Sequence, residues 1–343
     1  MKRKMPSDTV PLPTPHDTAL LAARDRAVVC DLAPLSILAI AGADAAPFLQ
    51  GQLSADIVGL PPGACRHASF NSPKGRMLAN FVVWRDPAAP DRFLALVPGD
   101  IATPVVKRLA MYVLRSKVAI ADVSEDFARL GVGGPAGGEA LRAAYGSSPA
   151  SYELQRSDST TVLGLPGPRF AIIAPRDTAD ATRALLLRRA DAASFEVWEW
   201  LTIRAGVPVI TAATQDRFVA QTANLDLLAG IDFQKGCYTG QEIIARTQYL
   251  GRLKERAFLF HADSPNIAAG ERLFNDAFGD QPCGTVVNAA AAPGGGGDLL
   301  AVLQLAAADR GDTRLGSPGG PALSPLPLPY AFPPAGVPRG RVT

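Results

Sequence analysis

Lys235-Gly236-Cys237-Tyr238-Thr239-Gly240-Gln241-Glu242 reads as a tight turn feeding a helix, with a cysteine at the junction. Thr239 and Glu242 have the Ser/Thr-x-x-Glu spacing of a capping box: the hydroxyl takes an unpaired N–H of the first turn and the carboxylate caps another. Ile243 and Ile244, then Tyr249 and Leu250, give the helix something apolar to bury, and Gly251 is its natural stop. Gly236 and Gly240 permit backbone angles or close approach that a side chain forbids. Cys237 therefore precedes the expected N-cap closely, with Lys235 near in sequence. The field of a helix start and a neighbouring ammonium both favour thiolate over thiol. The plainer reading is a strand-to-helix connection whose cysteine merely packs, as free cysteines usually do. A lysine, two glycines and a capping box crowded around one thiol weigh against it.

The octapeptide resembles the K-G-C-Y-x-G-Q-E signature of the YgfZ family, folate-binding proteins involved in iron–sulfur cluster maintenance and related to the aminomethyltransferase (T-protein) of the glycine cleavage system. Other segments resemble it in the same order: Gln50 to Asp56, Lys74 to Met77, Ser116 to Val118, Ala205 to Ile210 and Pro325 to Tyr330. The resemblance implies an α+β fold, a ring of ferredoxin-like T-protein-type domains followed by a C-terminal small β-barrel. Its expected parts are a folate-binding domain over 17–122 and 195–253, a second α+β domain over 123–194, the barrel over 254–332, and flexible tails at 1–16 and 333–343.

The resemblance also implies tetrahydrofolate or a derivative in a central pocket bordered by Trp198, Arg204, Tyr238, Gln241 and Glu242. Cys237 and Lys235 would be the working residues of an accessory protein for assembly or repair of iron–sulfur clusters, radical tRNA-modifying enzymes included. Expected partners are iron–sulfur enzymes or cluster-assembly proteins. The alternative is folate-dependent aminomethyl transfer. Two positions depart from the pattern. The paired acids of the T-protein fall at Ala79 and Asn80, so no carboxylate remains there to orient an amine. Arg204 stands where folate-binding members often carry a pterin-holding glutamate, and a cation cannot accept pterin N–H donors.

Composition sets broad bounds. A chain of 343 residues, 48% apolar and 19% charged, reads as a globular protein of two or three domains. A net charge of +2 gives no general electrostatic case for nucleic acid or membrane. No apolar run approaches the roughly 20 residues of a membrane span, and the basic start is followed by Pro, Asp and Thr rather than the apolar core of a secretory signal. The reading is a cytoplasmic protein with a loose N-terminal tail. Cys30, Cys65, Cys237 and Cys283 form no C-x-x-C pair, which argues against a disulfide framework or an all-protein cluster. Cys65 and His67 share a strand face, yet nothing nearby completes a metal site, and no stable metal is expected.

Taken in order, Val28 to Ile40 reads as short strands around Pro34, and Asp44 as the cap of a helix ended by Gly51. Arg66 to Phe70 and Arg76 to Trp84 read as a hairpin, and Arg92 to Val97 as the next strand. A helix from Asp100 carries Ile101, Val105, Leu109 and Tyr112 on one stripe. Strands near 118–120, 129–132, 161–165 and 170–174 alternate with helices near 138–145 and 178–191. Gly131 to Pro135 lacks the spacing of a dinucleotide fingerprint and reads as a loop. Phe195 to Ala205 is a helix on which Trp198 and Trp200 cannot share a stripe, which leaves one either to line a pocket or to stand partly exposed on a core helix. Beyond Gly251, short strands between Gly- and Pro-rich turns indicate an all-β module, and Pro318 to Pro338 an extended tail.

Overall fold

The computed structural model describes residues 15–249, 253–264 and 266–333, so Gly251, the expected helix stop, lies outside the described residues. The chain forms α1 (Pro15–Asp25), β1 (Val28–Asp31), β2 (Leu35–Ala41), α2 (Ala45–Gln52), β3 (Cys65–Asn71), β4 (Met77–Arg85), β5 (Arg92–Pro98), α3 (Gly99–Ala110) and β6 (Ala119–Asp122). There follow β7 (Phe127–Gly133), α4 (Gly137–Tyr145), β8 (Leu154–Ser157), β9 (Thr160–Leu165), β10 (Arg169–Pro175), α5 (Ala179–Leu186), β11 (Asp191–Ala193) and α6 (Phe195–Arg204). A long irregular segment leads to α7 (Gln241–Tyr249). After it come β12 (Glu255–Ala262), β13 (Arg272–Phe274), β14 (Gly284–Ala291), β15 (Gly297–Gln304), α8 (Leu305–Ala308), β16 (Arg314–Leu315) and β17 (Ser324–Leu326).

These strands build three sheets. The first, ordered β3-β4-β5-β2-β6, is antiparallel throughout. Its β2-α2-β4-β5-α3-β6 path is a β-α-β-β-α-β unit with β3 added at the edge. The second is ordered β11-β1-β7-β10-β9-β8. Here β1 lies between β7, antiparallel to it, and β11, parallel to it, so Val28 to Asp31 sit in this sheet and not with the 17–122 segment around them. Val28, Val29 and Cys30 are all buried, and a short strand apolar on both faces needs neighbours on both sides. The third sheet, β16-β13-β14-β15-β12-β17, is curled into a half-barrel where the small C-terminal β-barrel was expected. Its edge strands of two and three residues are too short to close it.

Side-chain parity packs the first sheet on both faces. Leu38, Ile40, Phe81, Val83 and Phe93 point under α2 and α3. Ile37, Ala39, Val82, Trp84 and Leu96 point the other way, against the second sheet and α6. Each large side chain so buried contributes about 1.5–3 kcal/mol. His67 shares its parity with buried Cys65, and Asn80 with Val82, so two polar groups face inward where apolar ones prevail.

Local signals fared unevenly. Asp44 precedes α2 but makes no side-chain cap; its carboxylate accepts from the Lys117 backbone N–H at 2.7 Å. Helix α2 runs through Gly51 and ends after Gln52. The signature helix starts at Gln241, later than a Thr239 cap requires, behind Gly240 at φ +80°. A Cβ on Gly240 would meet the Ser72 carbonyl at 2.6 Å, so the β3–β4 turn rests directly on the signature. The Pro-rich end is tied down as far as it is described, and positions 334–338 lie outside the described residues. β17 pairs with β12, and Tyr330 Oη donates to the Gly206 carbonyl at 2.6 Å.

Two glycines give predictions of opposite sign. Gly206 sits at φ +66° with Tyr330 2.8 Å from where a Cβ would stand, whereas Gly51 is helical with open space around it. Gly206→Ala is expected to lower unfolding stability by more than about 1 kcal/mol, and Gly51→Ala to raise it by about 0.5–1 kcal/mol. Urea unfolding of the two variants against the parent measures both.

Candidate functional site

Helix α6 assembles the site. Phe195, Trp198, Glu199 and Thr202 recur at the spacing of one helix face. They line a cavity of ≈ 160 Å³ shared with His67 and Asn80 of the first sheet, Arg169 of the second and Asn288 of the third.

The segment after α6 forms one wall, and two asparagines hold it. Asn80 Nδ2 donates to the Pro208 carbonyl at 2.7 Å and Asn80 Oδ1 accepts from the Ile210 N–H at 2.8 Å. Asn288 Oδ1 accepts from the Val209 N–H at 2.8 Å and its Nδ2 donates to the Val209 carbonyl at 2.8 Å. An amide can both donate and accept, and a carboxylate only accepts. Asn80, where an acid of the T-protein falls, is thus required as a donor.

At the inner end the polar groups are incompletely paired. Arg169, 3% exposed, donates from Nε to the Pro166 carbonyl at 3.0 Å and from a terminal nitrogen to Thr202 Oγ1 at 2.7 Å. Its guanidinium lies 5.2 Å from the centre of the Trp198 ring, and no carboxylate is paired with it among the described residues. Burial pushes it down to about 10, which leaves it charged at neutral pH. His67 is also 3% exposed. Its Nδ1 is 3.3 Å from the Phe81 carbonyl oxygen, while Nε2 has no partner. Burial first, and then the Arg169 charge, hold this imidazole down at about 4.

Glu199 stands at the mouth. Its side chain is exposed by area, although the protein around its carboxyl is as dense as around a half-buried group. Both descriptions hold for a carboxyl in a concave opening, which water reaches without surrounding. Desolvation, then the Glu196 charge, raise it above the usual carboxylate range.

Of the residues expected to border the pocket, only Trp198 does so. Arg204, five positions beyond Glu199, is turned about 140° around the helix. It lines a second cleft and pairs with Asp298 at 3.5 Å, so its charge does not oppose a ligand in the central cavity. Trp200, on that same side, donates from Nε1 to Asp298 Oδ2 at 2.9 Å. Tyr238 is buried in a core with Met77, Ile244 and residues of the third sheet; Gln241 is half-buried and Glu242 exposed. None of the three lines the cavity.

Lys235 acts as a tie. Its Nζ donates to the carbonyls of Gln50, Leu53 and Ala55 at 2.6, 2.6 and 2.9 Å and lies 4.9 Å from the centre of the Tyr238 ring. Burial pushes the ammonium down to about 8, against the pull of Asp56 and Asp232. The loop it anchors leaves Cys237 exposed, while Cys30, Cys65 and Cys283 are buried. Burial raises Cys30 and Cys65 to about 12 and Cys283 to about 11. Among the described residues no group of three or more His, Cys, Asp or Glu side chains could hold a metal ion.

Glu199, His67 and Arg169 escaped the sequence reading as a set. A glutamate four residues after Phe195 on an apolar stripe was the one available signal; the other two meet only through tertiary packing.

Residues 15–169 match the family model described as the GCVT N-terminal domain. The chain is 33% identical over 267 residues to the tRNA-modifying protein YgfZ of Shigella dysenteriae serotype 1 (strain Sd197), covering 77% of this chain and 80% of the relative. It is also 33% identical to the protein of that name from Escherichia coli O157:H7 (strain EC4115 / EHEC), with the same coverage. The crystal structure of glycine cleavage system aminomethyltransferase T from Bartonella henselae superposes with a TM-score of 0.73 at 18% identity, covering 92% of this chain and 89% of that one. It shares the fold. No helix of the described residues is long and apolar enough to cross a membrane.

Two outcomes test the site. Asn80→Asp replaces a donor by a charge facing the Pro208 carbonyl and is expected to destabilise by about 1–3 kcal/mol in chemical unfolding. His67 is held below its ordinary 6.5 at about 4. The unfolded chain therefore binds the extra proton first, and stability present above pH 6.5 is lost as the pH falls through 4. This loss is of order 3 kcal/mol, and in His67→Gln the total loss of stability between pH 6.5 and 4 should be smaller by about that amount in unfolding curves taken across this range.

Proposed function

The chain belongs to the YgfZ family, and from that premise we propose that it is an accessory protein for assembly or repair of iron–sulfur clusters in enzymes, radical tRNA-modifying enzymes among them. Cys237 carries the reading. It is the exposed one of four cysteines, on a loop whose lysine spends all three ammonium donors on backbone carbonyls of the first sheet's unit. Three satisfied charge-assisted bonds hold such a loop in place. That arrangement supports a thiol displayed to a partner, with Lys235 as its positioning residue.

A reduced folate is the proposed ligand of the central cavity. The fit rests on three observations: an orphaned acceptor at His67 Nε2, a carboxyl at the mouth in Glu199, and the indole of Trp198 in the wall. A volume of ≈ 160 Å³ suits a ring system and not a whole folate, since about 150 Å³ accommodates one benzene. Glu199 also restores part of the case for folate-dependent one-carbon transfer, because it supplies a carboxyl that Ala79 and Asn80 do not. Formation of a folate-dependent product by the purified protein would favour that second reading.

The test of the first reading is complementation. Cys237→Ser is expected to keep the parent's circular dichroism and melting temperature, yet fail to restore iron–sulfur enzyme activity in cells lacking the protein. Full rescue by the serine variant would reduce the cysteine to an ordinary surface residue. Mild alkylation at neutral pH should mark Cys237 ahead of the three buried thiols.

A further inference from the structure

The turn after α3 keeps two large apolar side chains in water. Met111 is 73% exposed and Leu114 is 88% exposed. Leu114 also sits at φ 45°. The left-handed region is where a chain commonly leaves a helix, and glycine normally fills it because a Cβ there crowds the following carbonyl. Leucine at this position costs free energy in its backbone and again in its solvated side chain, and it adds nothing to the core. Strain without a structural return points to a use outside the fold.

The surrounding structure holds that strain in place. The Lys117 N–H donates to Asp44 Oδ2 at 2.7 Å, the Ser116 N–H donates to the Val113 carbonyl at 2.8 Å, and Tyr112 meets Phe70 edge-on with ring centres 6.2 Å apart. Tyr112, Val113, Leu114 and Arg115 line a shallow depression together with Asp44. Lys107 and Arg108 precede this segment in the chain, and Arg115 and Lys117 end it. All four side chains are exposed, and none is in an ion pair among the described residues. Lys107 and Arg108 complement the carbonyl end of α3, whereas Arg115 and Lys117 lie past it.

We propose that residues 111–117 dock an acidic segment of a partner protein, an amphipathic stretch whose apolar side chain seats in the depression against Leu114 while its carboxylates meet Arg115 and Lys117. Unpaired cations beside exposed apolar surface are complementary to such a segment. Nucleic acid fits less well, because Met111 and Leu114 are aliphatic and offer bases no aromatic face to stack on. A bilayer is flat and leaves the depression empty. The start of α2 rests on this loop through Asp44, and Lys235 takes the carbonyls of Gln50, Leu53 and Ala55 around its other end. The eight residues of α2 span roughly 12 Å, so a partner seated here has the Cys237 loop within its reach. The assignment adds a partner surface to the proposed function and is argued without the thiol.

Binding is measured on the full chain by fluorescence anisotropy, with a labelled synthetic amphipathic helix of glutamates and leucines as the probe. Control peptides carry Gln in place of every Glu, or Ala in place of every Leu. The parent is expected to bind the Glu–Leu peptide, less tightly as salt rises, and each control at least about tenfold more weakly. Leu114→Gly should weaken the Glu–Leu peptide by at least about tenfold, as withdrawal of a buried leucine implies, yet unfold at the parent's urea concentration or above it. Arg115→Gln with Lys117→Gln should remove most of the salt dependence. The control peptides need only the unmodified protein, so the test survives a variant that fails to fold. A leucine with a structural role would lower the urea midpoint when removed, and that result overturns the proposal. Equal affinity of the parent and Leu114→Gly for the peptide overturns it too, as does the absence of peptide binding. Binding of bulk tRNA or of phosphatidylglycerol vesicles in place of the peptide also overturns it. No arm involves Cys237 or an iron–sulfur enzyme, so an overturned surface leaves the thiol reading standing.

Discussion

The stretch Pro208–Ile210 has backbone groups that a sheet would pair, but no strand beside it. Two side-chain amides take the strand's place, Asn80 from the first sheet and Asn288 from the third, and satisfy donors and acceptors alternately along the segment. Buried backbone groups have to be paired somewhere, and each left open costs of order a hydrogen bond's desolvation. The end of α6, the wall of the cavity and the mutual placement of two sheets therefore depend on these amides. This is also why an asparagine at position 80 is more than a lost acid: the residue that departs from the T-protein pattern is the one that the loop requires.

That clamp makes a polar cavity tolerable inside an otherwise apolar junction. Arg169 is charged and nearly inaccessible, a combination that costs several kcal/mol unless neighbours replace its water. The Pro166 carbonyl, Thr202 Oγ1 and the Trp198 face replace part of it. The replacement is incomplete, and burial first, then the Arg169 charge, keep His67 neutral. Burial and a fixed cation together thus keep the imidazole neutral, and its orientation is set by the Phe81 carbonyl.

Much of the scaffold was legible because it rests on local rules. The turn at Asn71 to Gly75 followed by an apolar run, and the helical stripe from Phe195, located β4 and α6 closely. Rules that depend on distant partners did less well. Thr239 has cap chemistry, but Gly240 lies against the Ser72 carbonyl and the helix begins after it. Arg204 looked decisive because it stands where the family resemblance puts a glutamate. Its direction around α6 and the presence of Asp298, nearly a hundred positions away, decide what it faces. Strand β1 reads as a strand and nothing more; that it wedges between β7 and β11 follows from pairings no window of sequence contains.

One strand links the two parts of the proposed function. Met77, at the start of β4, packs with Tyr238 of the signature and Ile244 of α7, and Asn80, three residues on, lines the cavity. Along an extended strand three residues span roughly 10 Å, and this stretch of β4 is paired with β3 at Met77, Ala79 and Asn80. The offset between signature and cavity is thus set by a paired strand and not by a loop. A ring bound beside Asn80 and a thiol displayed beyond Tyr238 are held at separate stations. On the proposed reading this favours division of labour: the cavity holds a ligand's head group, and Cys237 faces outward to whatever protein docks on the signature. A mechanism in which the thiol attacks the bound ring would need the signature to leave the core that Tyr238 and Ile244 bury, and to give up the three carbonyl bonds of Lys235 with it.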